Sequence, residues 1–260
     1  MIATFALFVA GCAGPRLPTG VGTPNVADTV RFVDAVGKRC AEFESWTGEI
    51  AVDGIVAGRS VHGQLLGAFT RSNVRLEALS SSGNPPLVVI SDATKAILRS
   101  PARTFEVSDS RDVIQALIGV RIAPHVLGQT LVACELPEGF NTLRMFGPLW
   151  ARLPVVGGGI YLHRAKTAVP WQLVTMFYPG ETLHWAWRVD YEDIENGIPL
   201  RSHLVSADRH TDLHFQLSQV DTMVAFQNDD LRFRIDGSPD ARTTTPEQLH
   251  DIVDQWLGVR

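Results

Sequence analysis

Cysteine is scarce in this chain: Cys12, Cys40 and Cys134 are the only three in 260 residues. That excludes a disulfide-dense secreted scaffold, and with no Cys-x-x-Cys pair or zinc-type spacing it excludes a zinc ribbon or finger. Positive charge is short too, with 23 Lys and Arg against 28 Asp and Glu and a net charge of −5. Such a balance argues against a nucleic-acid surface and gives no strong attraction to anionic lipid. Past Cys12 no run approaches 18 uninterrupted apolar residues, so no later segment is built to span a bilayer as a helix. There is no Gly-x-Ser-x-Gly elbow. Gly157-Gly158-Gly159 lacks the Lys and Ser/Thr of a phosphate loop and reads as a flexible hinge.

What is present begins at the N-terminus. The apolar run Ile2-Ala3-Thr4-Phe5-Ala6-Leu7-Phe8 ends in Val9-Ala10-Gly11-Cys12, which resembles the lipobox where bacterial lipoprotein precursors are cleaved. The run is the length of a signal h-region and too short to span. No Lys or Arg precedes Cys12, which a start codon placed too late would explain. The other reading is a buried N-terminal strand with a chance cysteine. Gly14-Pro15-Arg16-Leu17-Pro18-Thr19-Gly20-Val21-Gly22-Thr23-Pro24 follows at once, rich in Gly and Pro, and reads as a tether. The expected organisation is a signal peptide over 1–11, a tether over 12–24 with its lipid on Cys12, and one domain over 25–260.

Within that domain the hydrophobic period changes several times. Val26, Val30, Val33 and Val36 recur at helical spacing up to about Phe43, with Asn25 as N-cap. From Ser45 the period is two, giving six short strands in series up to Val107, an antiparallel meander. Residues 108–156 break the pattern. They are apolar and interrupted by Pro, start a helix at Asp109, and read as a helical insertion lying on or inside a sheet, with 113–132 as the lid candidate. Strands resume at Gly159 and run to Ile235, with Glu195-Asn196-Gly197 as a hairpin turn. Pro246 opens a last helix carrying Leu249, Ile252, Val253, Trp256 and Leu257. Cys40 and Cys134 are as readily two buried thiols as a disulfide.

The order of these parts, with Phe43-Glu44-Ser45-Trp46-Thr47-Gly48-Glu49-Ile50-Ala51-Val52 leading into Gly63-Gln64-Leu65-Leu66-Gly67-Ala68-Phe69 and then Arg75-Leu76-Glu77-Ala78, resembles the LolA/LolB-like superfamily of periplasmic lipoprotein carriers and receptors. The resemblance covers roughly residues 26–236. It implies a mainly β (α+β) fold: an incomplete antiparallel β-barrel with an apolar concave face and a helical lid or plug. One departure stands out, because the loop Ser80-Ser81-Ser82-Gly83-Asn84-Pro85-Pro86 lacks the large exposed apolar residue with which LolB-type receptors deliver cargo to a membrane. Ala13 after the lipidated cysteine matches the pattern that favours outer-membrane sorting.

Large side chains on one face of successive strands support a cavity independently. Trp46, Ile50, Phe69, Leu76, Leu98, Phe105, Leu173, Phe177, Trp185, Trp187 and Phe215 are its expected lining, with Leu117 from the lid. Replacing Trp185 and Trp187 by charged residues is then expected to abolish acyl-chain uptake. Catalytic groupings are thin. His210 with His214 is a weak metal pair lacking a third ligand, and Cys134 with His125 or His163 is a nucleophile–base pair without a signature. Asp190, Glu192, Asp193 and Glu195 read as a solvated hairpin end. The expectation is a non-enzymatic, monomeric, periplasm-facing outer-membrane lipoprotein. Its partners are acyl chains, lipids or lipidated proteins, with no nucleic acid, no metal and no cofactor. The alternative is a structural or sensory lipoprotein with a filled core that binds a protein.

Overall fold

A computed structural model describes residues 15–80, 85–135, 141–155, 158–179, 185–222, 224, 226, 233, 235, 242–245, 248–249 and 251–253. The lipobox and Cys12, most of the expected strand at Leu231–Ile235 and the start of the last helix lie outside them. The part of that helix that is described buries Leu249 and Val253.

After a two-residue strand β1 (Thr23–Pro24), helix α1 spans Val26–Ala41. Asn25 caps it, its side-chain oxygen accepting from the Asp28 N–H at 3.0 Å. Asp28 in the first turn and Lys38 and Arg39 in the last complement the helix dipole. The helix faces inward differently from the valine stripe expected. Phe32 and Val36 are buried, whereas Val26 and Val30 are 67% and 55% exposed. Phe32 carries more apolar area than any of the valines, so burying its side leaves the first turn of valines outside.

The first meander forms as expected: β2 (Ser45–Val56), β3 (Arg59–Thr70), β4 (Val74–Ala78), β5 (Val88–Ser91), β6 (Ala96–Arg99) and β7 (Thr104–Val107) pair in sequence, all antiparallel. Helices α2 (Ser110–Ile118) and α3 (Pro124–Leu131) follow. Asp109 caps α2 by accepting from the Arg111 N–H, and Gly119 ends it in the left-handed conformation.

Among the described residues of 108–156, none outside α2 and α3 is α-helical. Residues 144–155 hold β8 (Arg144–Phe146) and β9 (Trp150–Val155), which belong to the sheet. Gly158 and Gly159 lie in β10 (Gly158–His163), paired to β9, so those two glycines are strand and no hinge. The described helical part of 108–156 is therefore α2 and α3. The second meander continues through β11 (Gln172–Pro179), β12 (Trp185–Glu195), β13 (Ile198–Ser206) and β14 (Thr211–Asp221). Asn196 and Gly197 both have positive φ in the β12–β13 turn, the backbone a two-residue hairpin needs.

Pairing of β14 with β2 joins the two meanders. The result is one sheet of fifteen strands running β1-β8-β9-β10-β11-β12-β13-β14-β2-β3-β4-β5-β6-β7-β15, with β15 (Arg242–Thr243) parallel to β7. Among the described residues its two ends do not pair with each other, so the sheet is open. The molecule is mostly β with a few helices.

Candidate ligand cavity

Strand register decides which side chains meet. Tracing paired positions from β10 to β6 gives one continuous inner row: Ile160, Met176, Val189, Leu204, Leu213 and Gly54, and one pair further along each strand Phe215, Val52 and Gly63. Trp46, Phe69, Leu76, Val89 and Leu98 lie on the same face further round. Alternation puts this face of the sheet in the core, where α3 packs over β3 and β4 while α2 packs on α3 and β7.

Between helices and sheet lies an apolar cavity of about 50 Å³. Of the expected lining, Ile50, Leu76, Leu117 and Phe215 border it. Val52, Val61, Leu65, Leu87, Ile118, Leu127 and Leu131 border it as well and were missed. Val52 was legible, since it alternates in phase with Ile50. Leu127 and Leu131 share a face of α3 at i, i+4.

Trp46 and Phe69 stack at 4.2 Å between ring centroids and border a separate outer pocket of about 240 Å³, together with His125, Gly128 and the two cysteines. Phe69 stands between the two spaces. A methyl placed on Gly67 would meet both its ring, at 2.5 Å, and Ile50, at 2.9 Å, and one on Gly128 would meet the ring at 2.4 Å. Glycine at 128 thus lets α3 lie directly on the Phe69 ring.

Leu98 and Trp187 are buried on the inner face without bordering the cavity, Trp187 stacking on Tyr178 at 3.5 Å, and Phe105 is half-buried there. Leu173 borders a groove of about 590 Å³ between α1 and the start of β11, where the Arg164 guanidinium sits 4.1 Å from the Trp171 ring. Phe177 does not line the cavity. Tyr161 pairs with Thr175 but Leu162 with Leu173, so Val174 is an extra residue in β11. That bulge reverses the alternation, leaves Leu173 inside and turns Phe177 outward against Tyr161. The Trp185 side chain lies outside the described set.

A disulfide joins Cys40 at the end of α1 to Cys134 just beyond α3. This removes the Cys134 thiol from any nucleophilic role, and His163 packs on Trp150. The disulfide sits beside a buried polar network. Thr130 Oγ1 and the Tyr178 hydroxyl are 2.9 Å apart, the Tyr191 hydroxyl donates to the Thr130 carbonyl at 2.9 Å, and Arg39 donates to the carbonyls of Ala133 and Gly197. Burial pushes the Glu135 carboxyl up to about 7 and raises both tyrosine hydroxyls, while it lowers Arg39 and His125.

The carboxylates at the β12 end form no single site. Asp190 is buried, accepts from Thr175 at 2.8 Å and faces Arg188, while Glu192 and Asp193 both face Arg201. His210 pairs with Asp208, and His214 lies beside His203 instead. No described helix is long and apolar enough to cross a membrane.

Among solved structures, a LolA superfamily protein from Nitrosomonas europaea superposes with a TM-score of 0.54 at 7% identity, over 77% of this chain and 97% of that one. The fold is LolA-like. An outer membrane lipoprotein-sorting protein domain from Vibrio parahaemolyticus (8% identity, 79% and 97% covered) and a DUF1329 family protein from Desulfovibrio piger (10%, 82% and 98%) give TM-scores of 0.47 and 0.49. No family model matches the chain, and no curated protein does. At such identities the LolA-like likeness concerns backbone architecture, and the side chains of the cavity have to be judged on their own contacts.

Proposed function

We propose that this LolA-like chain is a lipid-anchored envelope lipoprotein, held at the outer membrane through Cys12, that binds acyl chains of lipids or lipoproteins between α2–α3 and the concave sheet without catalysing a reaction. The observation that carries this reading is the enclosed space itself, whose lining is apolar throughout. At about 50 Å³ it is far below the roughly 300 Å³ at which ligand pockets begin. An acyl chain therefore enters only if α3 swings off β3 and β4, and α2 off β7, as a lid. Each methylene it then buries is worth about 0.8 kcal/mol, enough over a chain to offset the exposed lid contacts.

The contacts of the helical pair define a pivot. The far end of α3 is fastened by the Cys40–Cys134 bridge and by Thr130 between two tyrosines, whereas α2 and the α2–α3 loop are tied to each other through Arg121 with Asp109 and Asp112. Opening can then turn the pair as one unit about the end of α3. Binding is tested on protein expressed without its first twelve residues, by native mass spectrometry and by displacement of an apolar fluorophore with fatty acid. Bound or displaceable acyl chains are the expected result. Leu127→Asp, which puts a charge into the closed cavity, is expected to abolish uptake while the sheet signal in circular dichroism persists. Uptake unchanged in that folded variant sinks the reading.

A second reading has its own support. The closed interior is nearly filled, while the groove beside α1 is larger, at about 590 Å³, and Val26 and Val30 stand exposed on that helix. Absence of any lipid uptake would favour a partner-binding lipoprotein with a filled core.

A further inference from the structure

The convex face carries a second grouping, which does not depend on the acyl-chain reading. Across β11, β12, β13, β14, β2 and β3 the register lines up Thr175, Asp190, His203, His214, Asp53 and His62, one polar residue per strand. In the middle of this row the His203 and His214 rings stack in parallel, centroids 4.1 Å apart and planes within 6°. Asp212 lies two residues before His214 and so on the same face. Its Oδ1 is 2.6 Å from His203 Nε2 and 3.8 Å from His214 Nε2. One ligand atom from each of the three residues lies within 4.8 Å of the other two.

A simple ion pair accounts for only half of this. His203 hydrogen-bonds Asp212, but at 3.8 Å His214 is too far to do so, and its nitrogen still converges on the same oxygen. We propose that His203, Asp212 and His214 bind a divalent transition-metal ion of the zinc class. Two imidazoles and one carboxylate are the donors such ions take, whereas calcium and magnesium require mostly oxygen. Ligands about 2.0–2.1 Å from a tetrahedral ion lie about 3.3–3.4 Å from one another. The distances of 2.6 and 3.8 Å bracket that value. The ion takes the place of the His203–Asp212 hydrogen bond, and the two rings turn out of their parallel stack so that both nitrogen lone pairs, which lie in the ring planes, point at it.

The setting favours this. All three residues sit on mutually paired strands, and their side chains are 22%, 42% and 55% exposed in the order His203, Asp212, His214, so a hydrated ion can reach them. The neighbours in the row are committed elsewhere: Asp190 to Thr175 and Arg188, Asp53 to His62. Water completes the coordination, since among the described residues no fourth donor converges.

The test uses tag-free protein and zinc, titrated against a chromophoric chelator, with diethyl pyrocarbonate labelling read residue by residue by mass spectrometry. One equivalent of zinc is expected to bind, and to protect His203 and His214 from labelling but leave His62 and His210 reactive. His203→Gln and His214→Gln are each expected to weaken binding by at least about tenfold, the scale on which even supporting groups of metal sites act. His62→Gln leaves it unchanged. No zinc uptake by the wild type overturns the proposal, and so does protection that spares His203 and His214. Because the protection pattern is read on the wild type, a variant that folds poorly does not remove the test.

Discussion

Glu135 is held half-buried beside Tyr178 and Tyr191, and its carboxyl is raised from an ordinary 4.5 to about 7 by loss of solvent. The folded protein therefore keeps a proton there that the unfolded chain releases between those two values. Folding is favoured while the group is neutral in both states, and stability is lost as pH rises from about 4.5 through about 7. Urea unfolding at successive pH values is expected to show this decline, and Glu135→Gln to flatten it; an equally steep decline in the variant would assign it elsewhere. Single residues also explain where the sequence misled. Strict alternation places Leu173 and Phe177 on one face, but the bulge at Val174 separates them, and no local pattern in Leu173-Val174-Thr175-Met176-Phe177 marks it. The paired histidines are another case. His203 and His214 are eleven residues apart in the chain, on adjacent strands, so only the register brings them together, whereas spacing along the chain pointed to His210.

Among the elements, the two meanders and both helices of the lid candidate were legible because each carries a clear period and a turn or cap at its ends: Asp109 before α2, Asn196-Gly197 between β12 and β13. β8 and β9 were not, for a physical reason. β8 has only three residues, and in β9 the alternation of buried Ala151, Leu153 and Val155 is masked by the outward Trp150 and Pro154, which read as apolar and strand-breaking. Helix α1 shows the opposite failure, a clear valine stripe that the fold only partly uses. Its end is fixed covalently instead. The Cys40–Cys134 bridge spans 94 residues of sequence and ties α1 to α3. On the chain-entropy account a loop of that length contributes about 4–5 kcal/mol. Cys40→Ser with Cys134→Ser is expected to lower the unfolding free energy by about that amount, and reducing agent to do the same to the wild type. A loss below about 1 kcal/mol would mean that the unfolded chain or the α1–α3 packing already supplies the constraint.

For the whole molecule the decisive matter is whether helices and sheet separate. An open sheet can flex its curvature, and among the described residues α2 and α3 are held on its concave face by side-chain packing, with no strand pairing between them and the sheet. A close approach between the layers, at Gly128 and Phe69, offers a lock. A Cβ at residue 128 would lie 3.2 Å from that of Phe69, a few tenths of an ångström short of the roughly 3.5–4.5 Å found in disulfides. Gly128→Cys combined with Phe69→Cys is therefore expected to form a bridge that pins α3 to β3 after a small shift. If acyl chains enter by lid opening, the oxidised double variant takes up no fatty acid and regains uptake on reduction. The wild type under the same reductant controls for loss of the Cys40–Cys134 bridge. Uptake by the oxidised, bridged variant would instead place entry away from the α3–β3 seam, leaving the groove between α1 and β11 as the route into the molecule.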